Sequence, residues 1–368
     1  MSNTAKCLLV GSVEDHCGKS AMVLSLAQRF GELGQKIAYG KPLGTCLDAP
    51  HQSGTAGCAS AMDEDVRFLA EVLELSGAQL QPTLLMLDQS ILQQRLAGED
   101  RQDYRQALSQ AYGQPSGSDV LLVEGPGTLS EGFLFNLSLV EMAEALEAAV
   151  LLVAPYVDLT SIDAVLSAQK KLGDRLLGIL FNDVPQAAVE VVQTQVKPYL
   201  ESQGIPVFGI VPHMDLLRSV SVEELVQRLQ AEVLCGKEHL DLMVENLCIG
   251  AMNVNSALEY FRRGHNMAVV TGGDRTDLQL AALETSTQCL ILTGRVPPRE
   301  AILARAQELE VPIISVDLDT LTTVELIERA FKQVRFHETI KAECVFQMSA
   351  DYLDVKRLAD ALGLAVAA

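Results

Sequence analysis

The 368-residue chain carries a formal charge of −20, with its acidic residues spread along the length and no Trp. A field of that sign repels nucleic acid and anionic lipid, so neither is expected as a partner. No apolar run approaches the ~18 residues of a membrane helix, and the opening MSNTAKCLLVGS lacks the basic and apolar regions of a secretory signal. A cytoplasmic protein is therefore expected.

Short apolar runs alternate with longer amphipathic stretches from the start. Buried strands are predicted at Cys7–Val10, Lys36–Gly40, Asp119–Gly125, Ala149–Tyr156, Leu176–Asn182 and Val207–Val211. Between them the spacing predicts helices at Ser20–Leu33, Asp65–Leu75, Asp88–Tyr112, Leu137–Glu147, Ser161–Leu172 and Ala187–Glu201. Strand and helix in alternation mean a parallel sheet covered on both faces. A shorter α/β pattern follows: helix Asn255–Gly264, strand Met267–Thr271, helix Asp277–Glu284, strand Cys289–Gly294, helix Pro298–Leu309, strand Val311–Val316 and helix Thr323–Phe331. This divides the chain into a domain at 1–235, a smaller one at 236–336 and a tail at 337–368 with a last helix near Asp354–Leu362. The eight cysteines include no CxxC pair, and most sit in apolar segments, so reduced buried thiols are expected instead of zinc or disulfides.

VGSVEDHCGKSAM, Val10–Met22, is nearly a phosphate-binding loop. The standard spacing puts the first glycine five positions before Gly18, where this chain has Val13; a glycine stands two places earlier, at Gly11. Gly18 permits close backbone approach, Lys19 can reach terminal phosphates, and the Ser20 hydroxyl can ligate Mg²⁺. His16 and Cys17 have no evident oriented base and are not read as a nucleophile. Lys41 ends the second strand, facing the crevice where ligands bind in such sheets. Glu124 ends a wholly apolar strand, where an unpaired carboxylate is too costly, so metal ligation or lysine pairing is expected. Gly125 and Gly127 leave backbone room beside it. Asp63 and Asp65 stand at a helix start, as cap or metal ligand.

The loop, Lys41-Pro42, Val123-Glu124-Gly125, Asn182 and Gly209-Ile210-Val211-Pro212 resemble dethiobiotin synthetase and its ATP-dependent relatives. They are more similar still to the dethiobiotin-synthetase-like N-terminal domain of long bacterial phosphate acetyltransferases. The resemblance covers roughly residues 5–230. It implies ATP, an adenine contact from Asn182, and Mg²⁺ held by Ser20 with Asp65 and Glu124. The residues themselves offer a phosphate cradle from Gly11, Gly18, Lys19 and Gly125, with Lys19 and Lys41 as the catalytic lysines if phosphoryl transfer occurs. The synthetase has an acidic residue where Val13 stands, its loop is one residue shorter, and its substrate-binding segments are not recognisable here. The carboxylation chemistry is therefore not implied.

Gly272, Gly273, Asp274, Arg275 and Thr276 form a second strand-to-helix turn suited to an anion or ribose, with Asp274 expected to cap the helix. This stretch, with LILTGRVPPREAI and VPIISVDLDT, resembles the DRTGG domain of nucleotide-sensing regulatory modules. The expected fold is thus α/β: a P-loop parallel sheet with helices on both faces, followed by a smaller DRTGG-type α/β domain. Because no acetyltransferase catalytic region follows in the sequence, a Mg-ATP-binding regulatory protein acting on a metabolic enzyme partner is expected. An ATP-dependent ligase for a small carboxylate or carbamate is the alternative, and a degenerate scaffold the third. An open pocket beside the loop favours the ligase, and one plugged by His51–Ala61 favours the sensor. Such synthetase-like domains pair across an edge, so a homo-oligomer is expected, with the Asp88–Tyr112 helix as a candidate surface.

Overall fold

The computed structural model describes residues 5–45, 63–113, 117–334, 336 and 338–365, and the His51–Ala61 segment lies outside them. The chain divides into one unit of Met1–His213 with Phe336–Ala368 and another of Met214–Arg335.

The first unit opens with β1 (Lys6–Ser12), α1 (Lys19–Glu32), β2 (Ile37–Gly40), β3 (Leu43–Thr45) and α2 (Glu64–Val72). Then come β4 (Leu80–Gln81), β5 (Leu85–Leu87), α3 (Gln89–Leu96), α4 (Tyr104–Tyr112), β6 (Val120–Glu124) and α5 (Leu139–Ala145). It continues through β7 (Ala149–Pro155), α6 (Ser161–Leu172), β8 (Leu176–Val184), α7 (Val189–Val191), α8 (Lys197–Ser202) and β9 (Val207–Pro212). Seven of the strands form one sheet in the order β4-β2-β6-β1-β7-β8-β9, every neighbouring pair parallel. The apolar runs become strands because both faces are covered, so every residue can be buried. Leu9, Leu121, Val123, Leu152, Ile179 and Phe181 share one core face, while Leu8, Val10, Leu122, Leu151 and Val153 are buried on the other. A parallel sheet puts all its carboxyl ends on one edge, so Gly40, Glu124, Ser12 and Asn182 line that edge on β2, β6, β1 and β8.

Two predicted helices are broken. Asp88–Tyr112 is α3 and α4, separated where Gly98 takes φ +75° and Arg95 Nη1 donates to the carbonyls of Asp100 and Gln102, each at 3.2 Å. Asp103 then caps the second helix through Gln106 N. Ala187–Glu201 becomes α7, a π turn at Val192–Val196 and α8. Pro198, without an N–H to donate, sits in the first turn of α8.

The second unit contains α9 (Asp215–Arg218), β10 (Val220–Ser221), α10 (Val222–Leu229), β11 (Glu232–Cys235), β12 (Met243–Val244), β13 (Asn246–Ile249) and α11 (Val254–Phe261). It is completed by β14 (Met267–Gly272), α12 (Thr276–Leu283), β15 (Thr287–Thr293), α13 (Glu300–Glu308), β16 (Ile313–Ser315) and α14 (Thr320–Lys332). Its sheet runs β11-β16-β15-β14-β13, parallel except for β11. Alternate strand residues feed two cores: Val269, Leu290 and Leu292 with α11–α13, and Val270, Cys289 and Ile291 with α10 and α14. The expected boundary at 235/236 therefore moves to 213/214, because Val222, Leu225 and Leu229 of α10 join the second core and β11 pairs with β16.

The tail expected at 337–368 folds as α15 (Thr339–Tyr352) and α16 (Val355–Leu362) and belongs to the first unit. Leu353 bridges Gly209 on the outer strand β9, Asp354 N donates to Phe208 O at 2.7 Å, and Arg357 pairs with Glu201 at 2.8 Å. A sheet edge that would otherwise be bare is partly occupied. Among the described residues no helix is long and apolar enough to cross a membrane.

Candidate functional site

The turn from β1 into α1 runs through residues 13–18. Gly18 has φ +84° and supplies the N-cap of α1 without a side-chain bond, leaving the first backbone N–H groups for another partner. A Cβ on Gly18 would also run into Asn182 Nδ2, so glycine is required there twice over. Asn182, 9% exposed at the end of β8, donates from Nδ2 to the Cys17 carbonyl at 2.8 Å. The amide expected to read adenine thus braces the loop. The Cys17 thiol is buried beneath, its Sγ 3.6 Å from Val153 O, and burial raises its pKa.

Gly11 and Gly125 lie outside this turn. Gly11 is paired within β1, opposite Leu152. A Cβ on it would sit 2.5 Å from Leu139 Cδ1, and one on Gly125 would sit 2.7 Å from the same atom. Both glycines make room for α5 against the sheet, which gives them a packing role apart from any ligand. Gly127 lies against the carboxylates of Asp15 and Glu131: its N–H donates to Glu131, and its carbonyl accepts from Ser12 Oγ at 2.6 Å.

Beside the loop is a buried polar pocket. Glu124, 2% exposed, accepts from Ser20 Oγ on Oε1 at 2.8 Å and from the Tyr39 hydroxyl on Oε2 at 2.9 Å. Burial pushes its carboxyl pKa up, opposed by the Lys41 and Lys19 charges. Of the two roles expected for Glu124, metal ligand or lysine partner, the second takes no hydrogen-bonded form among the described residues. Lys41 instead donates to Asp63 Oδ1 at 3.1 Å and to Asp65. Burial alone would lower the Lys41 pKa, but the Glu124, Asp65 and Asp63 carboxylates together raise it, so the ammonium stays charged. Asp63 also caps α2, accepting from Asp65 N at 2.9 Å. Sequence reasoning missed Tyr39; its signal was two-residue alternation, which puts it on the same strand face as Lys41.

Among the described residues no group of three or more His, Cys, Asp or Glu is arranged to hold a metal. One hydroxyl beside a carboxylate, both hard oxygen donors, fits Mg²⁺, which keeps waters and phosphate oxygens in its shell.

In the second unit, Gly272 ends β14 and Thr276 begins α12. The N-cap is Arg275, with no side-chain bond, and not Asp274 as expected. Arg275 Nη2 donates to Met252 O at 3.1 Å and Nε to Asp277 at 3.3 Å. The fully buried Gln279, which the sequence reading passed over, donates to the carbonyls of Gly272 and Gly273 at 3.0 Å each. A Cβ on Gly273 would collide with Val296 O. These contacts give the turn an internal reason for its residues.

Fold and loop together define an α/β P-loop nucleotide-binding protein with a second, smaller α/β domain. The AAA domain model matches residues 6–221 and the DRTGG domain model residues 224–330. The chain belongs to that AAA domain family, of the P-loop, dethiobiotin-synthetase-like kind. It is 25% identical over 313 residues to a phosphate acetyltransferase of Synechocystis, covering 80% of this chain and 43% of the relative. It is 23% identical over 382 residues to that of Nitratidesulfovibrio vulgaris, covering 98% and 52%. The chain thus spans about half the length of these relatives. The CBS and DRTGG domains of Clostridium perfringens pyrophosphatase, solved with diadenosine tetraphosphate, align at 16% identity, 43% and 75% coverage and a TM-score of 0.29. A score that low supports no structural argument.

Proposed function

We propose that the chain is a Mg-ATP-binding regulatory protein whose P-loop unit reports nucleotide state and whose second unit takes a nucleotide or metabolite. The observation that carries this is the Ser20 hydroxyl, in the first turn of α1, held 2.8 Å from the buried Glu124 carboxylate. In P-loop proteins the cation bridging the outer phosphates is held at that place. Ser20 and Glu124 would hold Mg²⁺, with Asp65 near; bound there it neutralises phosphate charge. Lys19 would meet the terminal phosphates, and Gly18 with the open end of α1 would cradle the inner ones. Similarity to phosphate acetyltransferases supports control of acetyl-phosphate or acetyl-CoA metabolism through an enzyme partner, in the cytoplasm and as a homo-oligomer. That part rests on analogy.

The ligase reading draws on Lys19, Lys41 and Glu124 standing close enough together to position a phosphoryl group. One observation weighs against it: Lys41 is engaged by Asp63 and Asp65, which leaves it less available to an acceptor substrate.

Calorimetric titration of ATP and Mg²⁺ into wild type and Lys19→Ala, with phosphate release counted on the same samples, tests both. Binding lost in the variant, with negligible turnover, is expected. Turnover stimulated by a small carboxylate overturns the regulatory reading, and no binding by wild type overturns both.

A further inference from the structure

We propose that Tyr39 is a positioning residue for the cation of the nucleotide site, fixing the Glu124 carboxylate so that Oε1 faces Ser20. This rests on the reading of the loop as a Mg-ATP site.

Tyr39 is wholly buried at the end of β2, and its neighbours in β6, Leu122 and Val123, pair with Tyr39 and Gly40 in register. The strand spacing of about 4.8 Å therefore delivers the phenol to the carboxylate two residues beyond Leu122. The hydroxyl reaches Oε2 at 2.9 Å while Ser20 takes Oε1 at 2.8 Å, so the two oxygens have different partners. A glutamate has three rotatable bonds and loses order readily. A tyrosine has two and is locked here by packing, so it is the stiffer member. A hydrogen bond to an ionised carboxylate is roughly twice as strong as a neutral one. Without the hydroxyl, Oε2 is left buried with an unmet acceptor, and the attraction of the Lys41 charge is free to turn the carboxylate away from Ser20. Outer partners of metal ligands are typically worth 10- to 100-fold in metal affinity.

The test uses the full chain with Tyr39→Phe, Mn²⁺ as a paramagnetic probe, and ATP titrated with Mg²⁺ or with EDTA. Expected is a fall of about 10- to 100-fold in Mn²⁺ affinity of the ATP-loaded protein, with metal-free ATP affinity changed less than about twofold. Tyr39→p-aminophenylalanine, which restores a donor, should recover most of the metal affinity. Unchanged Mn²⁺ affinity in Tyr39→Phe overturns the proposal, as does a parallel fall with and without metal. If Tyr39→Phe gives no cooperative melt, Tyr39→Met repeats the measurement with a flexible donor-free side chain, judged by the same two outcomes. Wild type lacking metal-dependent ATP binding sinks the underlying nucleotide reading instead, so the two failures are separable.

Discussion

Leu139 fills the space that a side chain on Gly11 would need, its Cδ1 lying 2.5 Å from where that Cβ would stand. This answers the oddest feature of the sequence, a phosphate-loop glycine two places too early. The glycine is there for α5, and the turn proper starts after it. Gly11→Ala should therefore cost about 1–3 kcal/mol of stability through overpacking. Adding Leu139→Ala should make the pair less destabilising than the sum of the singles. Urea unfolding measures both, and nucleotide affinity of the folded Gly11→Ala protein should stay within about threefold of wild type, a shift under 1 kcal/mol.

Asn182 supports the Cys17 carbonyl, so its loss should loosen the whole turn and not one base contact. Asn182→Asp sets a carboxylate against that carbonyl, and a lost or repulsive buried hydrogen bond costs about 1–3 kcal/mol. ATP and GTP affinities should fall together. A fall for ATP alone would restore the adenine contact as the main role of this residue.

Burial pushes the Cys289 thiol well above its ordinary range. A group whose pKa is raised on folding contributes stability that is intact below its unfolded value, about 8.5, and is lost as pH climbs toward the folded one. The second unit should accordingly lose stability progressively above about pH 8.5, in reductant. Thermal melts of wild type between pH 7.5 and 10.5 should slope downward more steeply than those of Cys289→Ala, which starts lower because of its cavity.

Leu358 on α16 is almost fully buried. Leu358→Ala should cost about 2–5 kcal/mol, and the loss should appear in the melting transition that ATP shifts upward, that of the first unit. If only the other transition moves, the tail does not stabilise the nucleotide unit.

Most of the sheet was legible because a strand buried on both faces is a near-continuous apolar run, as in LLVG at Leu8–Gly11 and VLLVE at Val120–Glu124. That Lys41 and Glu124 stand at the same edge as the turn into α1 was legible for a related reason: a parallel sheet delivers the ends of its strands to one edge. What escaped were partnerships. Apolar periodicity says that a face is covered but not by what, so the tail's return to β9 and the loss of α10 to the second core could not be read from it. The same holds for polar pairs far apart in sequence, such as Asn182 with Cys17 or Tyr39 with Glu124. The broken Asp88–Tyr112 helix failed differently, since its apolar spacing carries across Gly98 and only the arginine contacts reveal the stop.

Because the first unit is made of two stretches with the second between them, its last helices leave the ribosome only after the whole intervening unit has been made. Domains generally fold as they emerge. On the growing chain, then, the interposed unit has a complete set of strands while the edge of β9 and the face of α1, against which α15 packs, still meet solvent. Birth order thus leaves the nucleotide unit to finish last, with an apolar flank and a strand edge exposed to aggregation or to a chaperone until Phe336–Ala368 arrives.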